Sequence, residues 1–274
     1  MLSALGYGIS DFVGGLASRR VAALRVVLVS YPIALVLLAG LAVVVGGQVS
    51  QGAVFWGALC GVSQALGVWW FYAALGAGPI SVVSPLTAIL VAAIPVGVGL
   101  AMGERPGVIA GIGVVLALIA VVLVSREATD EDITPHKFTA TVAWLTVGSG
   151  VAFGLNLVLI AQAPAEANLW PLVFARLSAS VLVLIIAAVS SSLHAPTGTP
   201  LKLAVLAALL DTGANVAMLL ALHASLLSLA GVLMSLYPAA TVLLAIVVLR
   251  ERVTRWQSVG MVLALAAVAM IAAG

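Results

Sequence analysis

Charge is scarce in this sequence: only 7% of its 274 residues are Asp, Glu, Lys or Arg, against about 25% in an average soluble domain. So few charges cannot cover a water-exposed fold of this length, and that class is excluded. Cysteine is nearly absent. Cys60 alone can build neither an internal disulfide nor a cysteine metal site, and it reads as a small buried hydrophobe. The 11 Lys and Arg residues are scattered and the formal net charge is +2, so there is no basic stripe to follow a phosphate backbone and nucleic acid is not an expected partner. No Gly-rich turn precedes a Lys-Ser or Lys-Thr pair, which leaves no P-loop for ATP. His136, His194 and His223 lie far apart without a His-Glu-x-x-His motif, so neither a metal, nor another cofactor, nor enzyme chemistry is expected. No basic stretch or small-residue cleavage pattern marks the start, so the first apolar segment is expected to remain as a helix.

What the chain has instead is apolar length. Hydrophobic residues make up 64% and mean hydropathy is +1.30, an excess that must face lipid. Crossing about 30 Å of hydrocarbon takes about 20 residues, and inside it every backbone group must be satisfied internally. The fold class that follows is all-α and polytopic. Apolar runs between charged, polar or Gly/Pro breaks predict ten transmembrane helices: Leu2 to Ser18, Val21 to Val45, Ala53 to Ala77, Ile80 to Met102, Gly107 to Ser125, Thr139 to Ala161, Trp170 to Ser190, Leu201 to Leu222, Leu226 to Leu249 and Trp256 to Ala273. Trp56, Trp144, Trp170 and Trp256 near helix starts fit an interfacial belt. Residues 126–138 hold the one long charged stretch and divide residues 1–125 from 139–274.

The two parts repeat each other. Gly113 to Val121 and Gly260 to Val268 are identical at seven of nine positions at an offset of 147, and Glu104-Arg105 and Glu251-Arg252 share that offset. Five helices is an odd number, so the second unit enters the membrane from the opposite side and the repeat is inverted, a design that lets two halves exchange shapes around a central site. The five-plus-five arrangement, Gly-Glu-Arg-Pro and Arg-Glu-Arg-Val before the fifth and tenth helices, and an Arg early in the second and seventh (Arg25, Arg176) resemble an EamA-type permease of the drug/metabolite transporter superfamily. The resemblance covers the whole chain. It implies a multi-pass protein of a bacterial inner membrane, both termini in the cytoplasm, that exports or exchanges small metabolites through a cavity lined by the first, third, fourth, sixth, eighth and ninth helices. Loop charges, counted by the positive-inside rule, place both termini outside instead.

Ionisable residues are costly in a membrane core and each is a functional candidate. Asp11 follows Tyr7 by one turn in the first helix, and Asp211 precedes Asn215 by one turn in the eighth. The offset maps Asp211 onto Gln64. Asn156, Ser84, Ser235 and Tyr237 are further lining candidates, Pro85 and Pro238 permit bends, and Trp69 or Trp70 offers a ring to a flat or cationic substrate. Structural readings stand beside these: Asp211 as a partner of Arg176, the amides as interhelical ties, and the serines bonded to their own helices. Glu104-Arg105 and Glu251-Arg252 read as loop ion pairs.

The expected function is secondary transport or export of small amphiphilic metabolites, amino acids or related compounds, by alternating access. Protons are the candidate coupling ion, carried by Asp211 first and Asp11 second. Uncoupled exchange through the same site is the alternative, and an integral-membrane enzyme acting on lipid-linked substrates is a remoter one. The partners are membrane lipid and a small-molecule substrate, and a monomer or a homodimer satisfies the design equally.

Overall fold

The computed structural model describes residues 2–101, 107–125, 137–224, 237–250 and 255–273. Ten α-helices lie among them: α1 (Leu2–Ser18), α2 (Ala23–Val45), α3 (Gln51–Ala77), α4 (Ile80–Ala101), α5 (Val108–Ser125), α6 (Ala140–Ile160), α7 (Trp170–Val189), α8 (Thr199–Ala224), α9 (Tyr237–Leu249) and α10 (Arg255–Ala273). The all-helical, polytopic expectation holds, and α2, α3, α6, α7 and α8 are each long and apolar enough to cross a membrane. The residues expected to open the ninth helix, from Leu226 to Leu236, lie outside the described set, as do Ser235, Glu104-Arg105, Glu251-Arg252 and most of the charged stretch in mid-chain.

Local chemistry sets the ends. Ser50 Oγ accepts from the Ala53 N–H at 3.2 Å to start α3, and Thr139 Oγ1 accepts from Val142 at 3.3 Å to start α6, each satisfying an otherwise orphaned donor. Pro171 stands in the first turn of α7, where its missing N–H costs nothing. The α2–α3 loop turns through positive φ at Gly46 and Gly47, and a Cβ at Gly47 would strike the Ala167 carbonyl.

Side chains sort by solvent in the inverse of a soluble fold. On α5, Val108, Ile109, Ile112, Val115 and Ile119 form one exposed stripe at helical spacing; only lipid suits it. The opposite face is small. Ala117 and Ala120 are buried against Ala264 and Ala267 of α10, their counterparts at the repeat offset. The repeated text is therefore the surface through which the halves meet at this edge, a close-packed contact of the kind that holds membrane helices together.

Inversion is visible in helix direction. Gly14 lies under the Tyr72 ring, Gly15 against Leu75 and Gly76 against Ser18, so α1 and α3 run the same way. Trp70 lies over Gly148, Ser63 Oγ donates to the Ala152 carbonyl at 2.6 Å, and Asn156 meets Cys60, so α6 runs against α3. Counterparts α1 and α6 thus point in opposite directions. The contacts pair off accordingly: α3 with α6 is matched by α8 with α1, α3 with α7 by α8 with α2, and α4 with α6 by α9 with α1. Each half therefore packs its helices chiefly between those of the other.

Candidate functional site

Mid-helix polar groups gather where α1, α2, α3, α7 and α8 meet. The Arg176 guanidinium of α7 donates to Asp211 Oδ2 of α8 in an ion pair. Their exposures differ sharply: Arg176 is 2% exposed and Asp211 24%. Tyr31 of α2 covers the arginine, with the guanidinium carbon 4.9 Å from its ring centroid, a cation–π contact strengthened by desolvation. The Tyr31 hydroxyl donates to the Gln64 backbone carbonyl at 2.9 Å, which fixes the ring. Three helices thereby converge on one cation.

Asp11 of α1 is half-buried and makes no hydrogen bond or ion pair among the described residues. It interacts electrostatically with Asp211, and Tyr7 with Asp211, Arg176 and Asp11. Tyr72 of α3 interacts with both carboxylates. The cluster thus holds two carboxylates and one guanidinium, with one negative charge left over when both acids are ionised.

Other sequence candidates have structural partners. Asn156 Nδ2 donates to the Cys60 carbonyl at 2.9 Å and contacts its sulfur at 2.8 Å, tying α6 to α3. Ser10 Oγ donates to the Ala207 carbonyl at 2.9 Å, tying α1 to α8. Cys60 and Ala207 are repeat counterparts, so these two ties are related by the inversion. Asn215 Nδ2 donates to the Asp211 carbonyl at 2.8 Å on its own helix. Ser84 Oγ is fully buried and has no hydrogen-bond partner among the described residues. The Gln64 side chain is half-buried, while Trp69 packs against the apolar core and Trp70 lies over Gly148. Pro85 lies inside α4, whose helix continues to Ala101; Tyr237 and Pro238 open α9, and their side chains are outside what is described.

Arg25, paired with Arg176 by resemblance, is placed differently: it stands in the first turn of α2 with its Nε buried and without a partner among the described residues. A surface depression of about 550 Å³ at the start of α3, lined by Val49, Ser50, Gln51, Val54, Phe55 and Ala58, shares no residue with the polar cluster. Among the described residues no group of His, Cys, Asp and Glu is arranged to hold a metal ion.

Sequence reasoning missed Tyr31, Tyr72 and Ser10. A signal was there: the chain has only four tyrosines, and Tyr31 sits deep in an apolar helix, away from an interfacial position. It also missed Gly57-x-x-x-Gly61 on α3, where added Cβ atoms would strike Pro171 and Phe174, and Ala175 and Ser178, of α7.

The EamA-like transporter family model matches residues 1–126 and again 140–273. No curated protein matches the chain. A crystal structure of a protein 15% identical in sequence superposes with a TM-score of 0.57 over 98% of this chain and 95% of its own, a likeness of fold.

Proposed function

The chain belongs to the EamA-like transporter family, and from that premise we propose that it is a secondary transporter that moves small amphiphilic metabolites, amino acids or related compounds, through the Asp11–Asp211–Arg176 cluster by alternating access. The observation that carries this reading is the unequal exposure of the ion pair: a buried cation, and a carboxylate left accessible at the middle of an apolar bundle. A carboxylate exposed at this depth is tolerated only where water or a solute reaches it, because a charge facing hydrocarbon costs several kcal/mol. A site that admits a solute needs one of them open.

Coupling falls most naturally to Asp11. Arg176 already compensates Asp211, whereas Asp11 has no counter-ion among the described residues and is neutralised by taking a proton. Substrate or water entering the site changes the cost of that protonation, which links solute movement to proton movement. Uncoupled exchange uses the same cluster without the proton. It is favoured only by the Arg176 contact, which keeps Asp211 compensated throughout.

Reconstituted protein distinguishes these. A pH gradient imposed across proteoliposomes is expected to drive accumulation of a transported amino acid or amine. Asp11→Asn should retain exchange of labelled for unlabelled solute and lose the response to the gradient. Gradient-driven accumulation that survives in Asp11→Asn would remove Asp11 from the coupling step, and absence of flux with every solute would remove the transporter reading.

A further inference from the structure

We propose that the group this site reads is positively charged, an ammonium or similar organic cation head, and that Tyr31 sets the choice by sealing Arg176 away from the solute. The proposal rests on the reading that solute passes through this cluster. Its warrant is accessibility. Of the three formal charges, the cation is 2% exposed beneath an aromatic ring, Asp211 is 24% exposed, and Asp11 is half-buried without a counter-ion among the described residues.

The accessible part of Asp211 does not face lipid, because a carboxylate in hydrocarbon costs several kcal/mol. On the reading proposed above it faces the solute's space, with Asp11 beside it. An anion entering that space meets two carboxylates and finds the guanidinium covered, and juxtaposed like charges are repulsive by several kcal/mol. A cation finds both acids. A zwitterion gains at its ammonium and loses at its carboxylate.

Tyr31 is the determinant because it does two things at once. Its buried ring covers one face of the guanidinium, and its hydroxyl, bonded to the Gln64 carbonyl at 2.9 Å, holds the ring there from a third helix. Without the ring, Arg176 offers its free N–H edges to a carboxylate, for which its planar fork is well suited.

Phenethylamine, phenylalanine and 3-phenylpropionate share one ring and chain and differ in charge, so their binding to purified full-length protein reads the preference. Wild type is expected to bind phenethylamine most tightly, phenylalanine less so, and 3-phenylpropionate on the order of tenfold or more weakly than the amine. Tyr31→Phe should keep that order, since the ring remains; Tyr31→Leu should bring the acid to within a few-fold of the amine. A second arm needs no ligand: phenylglyoxal, an arginine reagent, should modify Arg176 in Tyr31→Leu and spare it in wild type. Wild-type binding of 3-phenylpropionate as tight as that of phenethylamine, or equal modification of Arg176 in both proteins, would overturn the proposal. Failure of the transporter reading appears elsewhere, as absence of solute flux in proteoliposomes.

Discussion

At the residue scale, the ion pair and the orphan hydroxyl behave oppositely. Asp211→Leu leaves Arg176 buried and uncompensated, and is expected to destabilise the protein by about 3–5 kcal/mol. Adding Arg176→Met should recover part of that loss, which thermal unfolding in detergent measures as a positive interaction between the two changes. Ser84 Oγ, fully buried without a partner among the described residues, should be dispensable to the fold. Ser84→Ala removes a desolvation cost of about 1–3 kcal/mol and is expected to leave the unfolding temperature unchanged or raise it. Loss of transport in a well-folded Ser84→Ala protein would instead make that hydroxyl a ligand contact. Both acids were legible in the sequence because intramembrane carboxylates are rare. Arg176 as the partner of Asp211 was one of the readings the sequence offered, and the choice was not legible, since the two are 35 residues apart and meet only when α7 and α8 are placed around α2. Asn156 shows the same limit: residue type says that it needs a partner, and packing says that the partner is the Cys60 carbonyl.

At the scale of elements, small residues set how closely helices approach. A Cβ at Gly61 would overlap the Ala175 carbonyl and Ser178 Oγ, whereas Gly40 on α2 has nothing within 4 Å of an added Cβ. Gly61→Val should therefore separate α3 from α7 and cost about 3 kcal/mol or more, while Gly40→Ala should stabilise by about 0.5–1 kcal/mol through lost freedom of the unfolded chain. Unfolding temperatures of the two variants test the contrast. Helix existence and most ends were legible, because hydrocarbon thickness and backbone hydrogen bonding leave few choices. Helix partners were less so. Nearly every helix here is apolar on all sides, so periodicity does not mark an interface, and Gly-x-x-x-Gly spacings, Gly57 with Gly61 on α3 and Gly150 with Gly154 on α6, carried that information.

At the scale of the whole molecule, inversion organises function. α1 packs on α8 and α3 on α6, so each half supplies helices to both sides of the charged cluster. Asp11 comes from the first repeat, and Asp211 with Arg176 from the second, while Tyr31 from the first covers the arginine of the second. A relative movement of the repeats therefore alters the site directly. The repeat itself was legible from the offset of 147, and its opposite direction from an odd helix count. The asymmetry was only half legible: Gln64 against Asp211 was visible, whereas the sealed arginine depends on a tyrosine with no acidic or basic counterpart to draw the eye.

Proton release on ligand binding tests the central claim most directly. If an ammonium and a proton compete for the charge at Asp11, adding phenethylamine to purified wild-type protein in weak buffer should release about one proton per bound ligand near the pH at which Asp11 titrates. Asp11→Asn should release essentially none. Saturable binding of phenethylamine without proton release by wild type at any pH would contradict the account.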